Sequence, residues 1–524
     1  MPPVILENYR KLSKVKMKMK NNVELVLGAD IGTNGIKVEL FDLSGKCLAS
    51  SFRKSKLIRS GADNIEENPE FQLSNLCSAI KDCMKSSHRS SSDVAAIGID
   101  GQMAGVIGIG LDGLCVTPYD SWLDTRCTPF IAEMNKKAGS EILFKTGCAP
   151  AVNHGPKILW WKKTHPAIFR KIKSFMQPGG YAAMRLCGLK ATDAFIDTTY
   201  LHFSGFADNV KESWDASLCK TFGIDLEILP KIVKPEKIIG GLTKAMAARC
   251  GLDEGIPVVA GCGDTAASFL SCGAVSDGIC VDVAGTASVF AATTSKFKPD
   301  SENGILACGQ AVTPGLWHSY AYINGGGMNL NWFRDEIASL GHPLPKGTDF
   351  ENLDRQASKI KPGQDSPLFI PHLGGRVCPA QPAMRGAWLN LSWNCNASHL
   401  YRSVLEGVAL EYKIYAQTLG QLLPHFSLCE LRITGGGEKS TLWNQIKADA
   451  TGIPVVQIHE GHGAPLGSAI LAAWGAELIG NPREAAQKWI KLSKRFKPDK
   501  KMAYYYSGRL EKYRKTLNFL KEKL

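Results

Sequence analysis

Two aspartates stand where a chain can place chemistry. Asp30 follows the apolar run Val26-Leu27 and stands one residue before Gly32-Thr33-Asn34; Asp264 follows the apolar stretch Ile256–Ala260 and Gly261-Cys262-Gly263. An acid at a strand end beside a Gly-rich turn can face a hard cation such as Mg2+, through water. An acid between a strand and a helix can be a general base or a helix N-cap, and Asp264 taken alone leaves both readings open. Gly-rich turns beside polar residues recur at Gly32-Thr33-Asn34, Gly285-Thr286, Gly325-Gly326-Gly327 and Gly435-Gly436-Gly437. Backbone N–H groups in such turns can hold phosphate oxygens, because glycine lets a ligand approach closely. Any one of them alone is an ordinary tight turn. Four of them, two on a repeated hairpin, point to phosphate binding.

Other signatures fail on context. Gly108-Ile109-Gly110-Leu111-Asp112-Gly113 has dinucleotide-fingerprint spacing, but a β-like run follows it where the fingerprint requires a helix. There is no GxxxxGK[ST] phosphate loop and no HExxH helix, and His459-Glu460-Gly461-His462 lacks a third ligand and reads as a loop. The chain has 16 cysteines with no CxxC pair, which reads as buried, reduced thiols and a cytoplasmic protein.

The elements that must position these residues are legible in outline. Ile36, Val38 and Leu40 alternate with Lys37 and Glu39, the period of a half-buried strand, and Ser44-Gly45 turns the chain into a third. Roughly 250 residues later Ile279 to Thr294 repeats the plan around Gly285-Thr286-Ala287-Ser288, which suggests an internal duplication with a cleft between the halves. Helices are expected over 69–85, from Thr265, over 399–423, after Gly437 through Ala450, and over 465–478; strands over 94–99 and 431–433. The boundary between halves falls near Cys272–Gly278, where glycine is dense.

At 524 residues the chain needs two large domains or more. Its net charge of +13 would suggest nucleic acid until it is partitioned. Residues 1–22 hold six Lys/Arg against one Glu, and residues 489–524 hold twelve against three acids. The remainder has 44 basic and 45 acidic groups, so the body is neutral. Both ends read as solvated charged segments, without the aromatic interleaving of a nucleic-acid surface. No stretch has the length of a membrane span.

Eight segments then occur in a telling order: GADIGTNGIKVELFD, GIDGQMAG, SWLDTR, VVAGCGDTAAS, GTASV, GGGMNLNWFRD, LEGVALEYK and GGGEKSTLWNQIKADATGIPV. Together, over about residues 24–490, they resemble the FGGY family of carbohydrate kinases, nearest in style to a xylulokinase-like branch. The resemblance implies an α/β fold of two ribonuclease-H-like (actin-like ATPase) domains with a central cleft. It divides the chain into a basic arm (1–22), a sugar-binding domain (23–273), an ATP-binding domain (274–490) and a basic extension (491–524). It implies ATP and Mg2+ as cofactors and a small sugar or polyol as partner, with no nucleic acid or membrane and with a homodimer left open.

Residue by residue, the resemblance gives Asp264 the role of general base and places Asp30 at the metal. Gly32, Thr33 and Asn34, with Lys37, match the first phosphate hairpin; Gly285 and Thr286 match the second, with Gly326 and Gly327. Gly436, Gly437, Ser440 and Asn444 match the adenine pocket. Gln102, Met103, Trp122, Asp124 and Thr265 face the sugar, with Arg126 in support and Asn153 and His154 on a neighbouring loop. Two positions depart from xylulokinases, which read Gln-Met-His-Gly where this chain has Gln102-Met103-Ala104-Gly105, and Asn where it has Thr265. A site built to hydrogen-bond a hydroxyl discriminates strongly when its partners change, so D-xylulose is not the expected substrate. The alternatives are an actin-like ATP-binding module acting on protein partners, which predicts phosphate hairpins without a sugar pocket, and a kinase-related protein without sugar turnover, against which the retained Asp264 argues.

Overall fold

The computed structural model describes residues 24–61, 63–339, 350–363 and 366–523; the basic arm at 1–22 lies outside the described residues. The alternating segment is strand β2 (Gly35–Asp42), antiparallel to β1 (Leu25–Ile31) with Ile31 opposite Ile36. The Gly32 N–H closes the turn on the Gly35 carbonyl at 3.1 Å. Strand β3 (Cys47–Lys54) adds to β2. The chain then crosses through helix α1 (Pro69–Ser87), with Asn68 capping its first turn and Pro69 opening it. It returns as β4 (Val94–Gly101), parallel to β1. Strands β5 (Ile238–Gly241) and β6 (Pro257–Val259) extend the sheet in the order β5-β6-β4-β1-β2-β3, and β7 (Cys262–Gly263) also pairs with β4. Helix α2 (Asp264–Ser271) follows β7 at once.

The second sheet repeats the plan. Strands β8 (Ile279–Ala284), β9 (Ser288–Thr294), β10 (Ala307–Gln310), β11 (Trp317–Ile323), β12 (Glu430–Thr434), β13 (Val455–Ile458) and β14 (Leu492–Phe496) lie in the order β10-β11-β9-β8-β12-β13-β14. Five strands of each sheet correspond, β3-β2-β1-β4-β6 with β11-β9-β8-β12-β13. Each has a hairpin, a third antiparallel strand on one side and parallel strands on the other. The duplication read in the sequence is real, and the molecule is two α/β domains of the actin-like, ribonuclease-H-like kind. Helices α3 (Ala397–Leu422) and α4 (Thr441–Thr451) pack on each other in the second half, where α3 is buried almost all round.

Helix α5 (Ala464–Gly475) does not stay with the second sheet. It lies on β1, β4 and α2 of the first half. Two glycines make that approach possible, since a Cβ on Gly28 would sit 1.9 Å from the Pro465 carbonyl oxygen and one on Gly98 2.1 Å from that of Ser468. Gly28→Ala is therefore expected to cost about 3 kcal/mol, the upper end for overpacking against backbone that cannot rotate away, read as a lower urea midpoint of unfolding.

One expectation fails. The basic segment 491–524 is not a solvated extension: β14 pairs with β13, and α6 (Lys500–Lys523) buries Tyr506, Arg509, Leu510, Tyr513 and Leu517. The Tyr506 and Tyr513 hydroxyls donate to Glu406 and Glu411 of α3, at 3.1 and 2.7 Å. Charge counting averaged over the helix and hid its apolar stripe at 506, 510, 513 and 517, which is the spacing of one helical face. All 16 cysteines are free thiols. Among the described residues no helix is long and apolar enough to cross a membrane.

Candidate active site

The parallel register of the first sheet brings three acids to one edge. Asp30 ends β1 alongside Asp100 on β4, and Gly263 of β7 lies alongside Gly101, so that Asp264 opens α2 next to both. Asp100 is fully buried and accepts a hydrogen bond from the Ser468 hydroxyl of α5 at 2.5 Å. Burial pushes the Asp264 carboxyl up to about 7, and the Asp30 charge adds to the shift. Burial also raises Asp30 to about 6, against the lowering effects of Asp100 and Lys37. Asp100 is raised well above the carboxylate range, by burial first and then by Asp30. Asp30 Oδ1 and Asp100 Oδ1 are buried without a hydrogen-bond partner. Two orphaned carboxylate oxygens among three acids that burial raises fit a hard divalent cation, which such oxygens would ligate. Thr265 holds Asp264 in place, its N–H and hydroxyl both donating to Oδ1, at 2.6 and 3.1 Å.

Met103 joins this edge to the segments expected to face the sugar, since its side chain lies against the Cα of Gly263, immediately before Asp264. The backbone there is pinned by His154, whose Nε2 meets the Met103 carbonyl at 2.5 Å; burial pushes this imidazole down to about 4, so it is neutral and donates. Trp122 donates its indole N–H to the Thr33 hydroxyl at 2.8 Å, and Gln102 bonds the same hydroxyl at 3.3 Å. Asp124 is buried beneath, where its Oδ2 accepts from the Ile65 N–H and from Arg126 Nε, at 2.9 and 2.8 Å. Arg126 also pairs with Glu66 and Asp120 and covers the Trp160 ring. Asp124 and Arg126 thus brace the loop that carries Trp122. Asn153 is buried beside His154 and leaves its Oδ1 unpaired.

The second hairpin opens on a cleft of about 1530 Å³ lined by Gly285, Thr286, Gly327, Gly436, Gly437 and Ser440, with Asp354, Tyr401 and Phe496. The Gly327 and Met328 N–H groups bond the carbonyls of Gly285 and Thr286, both at 3.0 Å. Ser440 caps α4 and donates to Asp354 at 2.5 Å. Two expected residues stand behind this surface. Gly326 abuts Ser288, and Asn444 is buried, its amide donating to the Glu438 carbonyl at 2.8 Å.

Lys37 bonds the His462 carbonyl at 3.1 Å and pairs with Glu39 at 2.9 Å, tying the first hairpin to the loop before α5. Glu39, Cys47 and His462 offer three ligand atoms within 4.8 Å of one another. Cys47 and Glu39 push His462 up to about 9, and this imidazolium with Lys37 already neutralises the carboxylate. The group is an ion-paired cluster.

Three contributors went unassigned in the sequence reading. Asp100 had only the signal of following the expected strand 94–99; its register with Asp30 is visible in the fold alone. Glu67 and Lys157 had none: an acid at the foot of a helix and a lysine amid Gly155-Pro156 and Ile158-Leu159 look like solvent-facing charges. Lys157 is instead fully buried, donating to the carbonyls of Ser121 and Asp124 at 2.8 and 2.9 Å, on either side of Trp122.

Residues 25–271 match the N-terminal domain, and residues 280–476 the C-terminal domain, of the FGGY family of carbohydrate kinases. The chain is similar to the xylulose kinase of Bacillus subtilis, with 26% identity covering 95% of this chain and 98% of that protein. It is similar also to the autoinducer-2 kinase of an Enterobacter species, 25% identical over 93% of each. The structure of a gluconate kinase from Lactobacillus acidophilus superposes with a TM-score of 0.86 at 24% identity, covering 95% of this chain and 98% of that one.

Proposed function

Since the chain belongs to the FGGY family of carbohydrate kinases, we propose that it transfers the γ-phosphoryl group of ATP to a hydroxyl of a pentulose-like sugar or polyol, with Asp264 as general base. The observation that carries this reading is the convergence of Asp30, Asp100 and Asp264 beside the first glycine hairpin. Phosphoryl transfer asks a protein mainly for alignment and charge neutralisation. Thr265 occupies Asp264 Oδ1, which leaves Oδ2 to take the proton of the attacking hydroxyl. The turns at Gly32–Asn34 and Gly285–Thr286 offer backbone N–H groups to phosphate oxygens, and the cleft behind Gly436 and Gly437 suits the base of the nucleotide. Mg2+, held by Asp30 and Asp100, would neutralise phosphate charge. Sixteen free thiols support a cytoplasmic setting.

Relatives at similar distance carry different substrates in their names, so the sugar has to come from this chain's own pocket. Ala104, following the pinned Met103 carbonyl, offers no hydrogen bond to a sugar. One lost hydrogen bond to a neutral group is worth about 0.5–1.5 kcal/mol, and ~1.4 kcal/mol is tenfold in rate. Coupled ADP release measured across ketopentoses, ketoheptoses, pentitols, tetritols and glycerol should show one class preferred over D-xylulose by several-fold to tenfold. Ala104→His, alone or with Thr265→Asn, should move kcat/KM back toward D-xylulose. A wild type that prefers D-xylulose over every other compound defeats the pocket argument, and a screen with no sugar-dependent ADP release defeats the kinase reading.

A further inference from the structure

Gln102 belongs to a segment expected to touch sugar, yet it is 1% exposed and both ends of its amide are committed. Its Nε2 donates to Glu67 Oε1 at 2.7 Å and its Oε1 accepts from the Thr33 hydroxyl at 3.3 Å. Glu67 is equally buried and receives a second hydrogen bond from Gln72 Nε2 of α1 at 3.0 Å. Hydrogen-bonding chemistry fixes every direction in this chain. An indole N–H only donates, a hydroxyl has one proton to give, and an ionised carboxylate only accepts. Trp122 therefore donates to Thr33, Thr33 to Gln102, and Gln102 to Glu67. Three bonds run one way, from the sugar-facing loop through the first phosphate hairpin to a buried acid, and bonds aligned in this way polarise one another. The backbone reinforces the path: Glu67 pairs in register with Tyr119, three residues before Trp122, and the Gln102 N–H bonds the Ile31 carbonyl at the mouth of the hairpin.

We propose that Glu67 is a positioning residue that couples the sugar pocket to the phosphate hairpin through Gln102, Thr33 and Trp122. The proposal rests on the kinase reading above. Without the acid, the Gln102 amide is free to flip, which turns an N–H toward Thr33, reverses the Thr33–Gln102 bond and leaves the Thr33 oxygen accepting from both Gln102 and Trp122, loosening its hold on the indole. The hairpin then loses the contact by which an occupied sugar pocket would set its geometry. Burial raises the Glu67 carboxyl, against the hydrogen bonds from Gln102 and Gln72, and a protonated Glu67 would lose one of its two acceptor roles.

The test uses the full chain and its best sugar. Thr33→Val is isosteric and cuts the relay in the middle; Glu67→Ala cuts it at the end. Each should lower sugar-dependent kcat by about 10–100-fold, the range that misplacement by an ångström can produce, and Glu67→Ala, which lies outside the phosphate-binding turns, should leave ADP affinity unchanged. Thr33→Ser, which restores the hydroxyl, should recover most of the rate. The double variant Thr33→Val/Glu67→Ala should be no slower than the slower single one, because both break one path. Multiplying losses, or a Glu67→Ala enzyme that melts lower but keeps its kcat, would overturn the coupling. An activity-independent readout separates this from the kinase reading. The indole N–H resonance of Trp122, identified by its loss in Trp122→Phe, should shift in Thr33→Val and also in Glu67→Gln, which reaches it only through Gln102. An unmoved indole in Glu67→Gln removes the relay whether or not the wild type turns over sugar; a moved indole in an enzyme without sugar-dependent turnover keeps the hydrogen-bonded path and removes its role in coupling.

Discussion

Asp264→Asn is expected to lower sugar-dependent turnover at least about a hundredfold while nucleotide binding stays within a few-fold. General-base catalysis contributes ~10²–10⁴, and asparagine keeps the shape but cannot take the proton. The cleft proposed for the nucleotide is lined by residues of the second half and by none of the three acids, so affinity there should survive. The pH dependence carries a second signature. Burial and the charge on Asp30 raise Asp264 to about 7, so the base form accumulates as pH rises through 7, and kcat/KM of the wild type should climb through that value and level off. The stability effect has the opposite sign. With Asp30 near 6 and Asp264 near 7 in the folded state and an unfolded aspartate near 3.9, the folded protein binds more protons than the unfolded chain between pH 4 and 7. Its stability therefore falls as pH rises through that window. Asp264→Asn removes one such group and should melt above the wild type at pH 8, which separates lost chemistry from lost structure. A variant with wild-type turnover on its best sugar would remove Asp264 from the mechanism.

Ending the chain at Pro498 should abolish folding of the second half. Truncation removes four buried side chains, Tyr506, Leu510, Tyr513 and Leu517, each worth about 1.5–3 kcal/mol in transfer from water. The sum is on the order of 6–12 kcal/mol, against the ~5–15 kcal/mol that holds a typical native protein. Polar losses add to this. Arg509 donates to the Ser366 and Pro367 carbonyls. Glu411, held down to about 2 by Arg376 and His372 despite its burial, loses its Tyr513 partner. Expression should give insoluble protein, or a soluble product without a cooperative melting transition. A truncated chain that melts like the full-length one would return the segment to the status of a charged extension.

These two expectations differ in how far the sequence led to them. Asp264 and both hairpins were legible because strand alternation and glycine turns are local patterns, readable over ten residues. The fold followed from recognising that one such pattern occurs twice. Lys157, Glu67 and Asp100 draw their meaning from neighbours far along the chain: Lys157 from carbonyls more than thirty residues earlier, Asp100 from a serine 368 residues later. No window of sequence contains those partners. The C-terminal helix shows a second kind of failure, in which the relevant pattern was local but charge, the louder signal, lay on the opposite face. Gln102 shows a third. Its segment was identified, but the resemblance could not say whether the amide would face the ligand or the interior.

The seat of α5 on the first sheet also bears on how the chain comes to be folded during synthesis. The bare strip of backbone around Gly28 and Gly98 is covered only when residues 464–475 arrive, and Trp489 then bonds the Leu43 carbonyl across 446 positions. At roughly 5–20 residues per second, the first sheet, whose last strand ends at Gly263, waits on the order of 10–40 s on the ribosome for the helix from Ala464 that completes it. Contacts of such long range are slow to close, and during the delay two central strands present apolar surface to solvent or to a chaperone. The first half expressed alone would remain in that waiting state, so the gene cannot be divided at its point of duplication, even though the architecture repeats there.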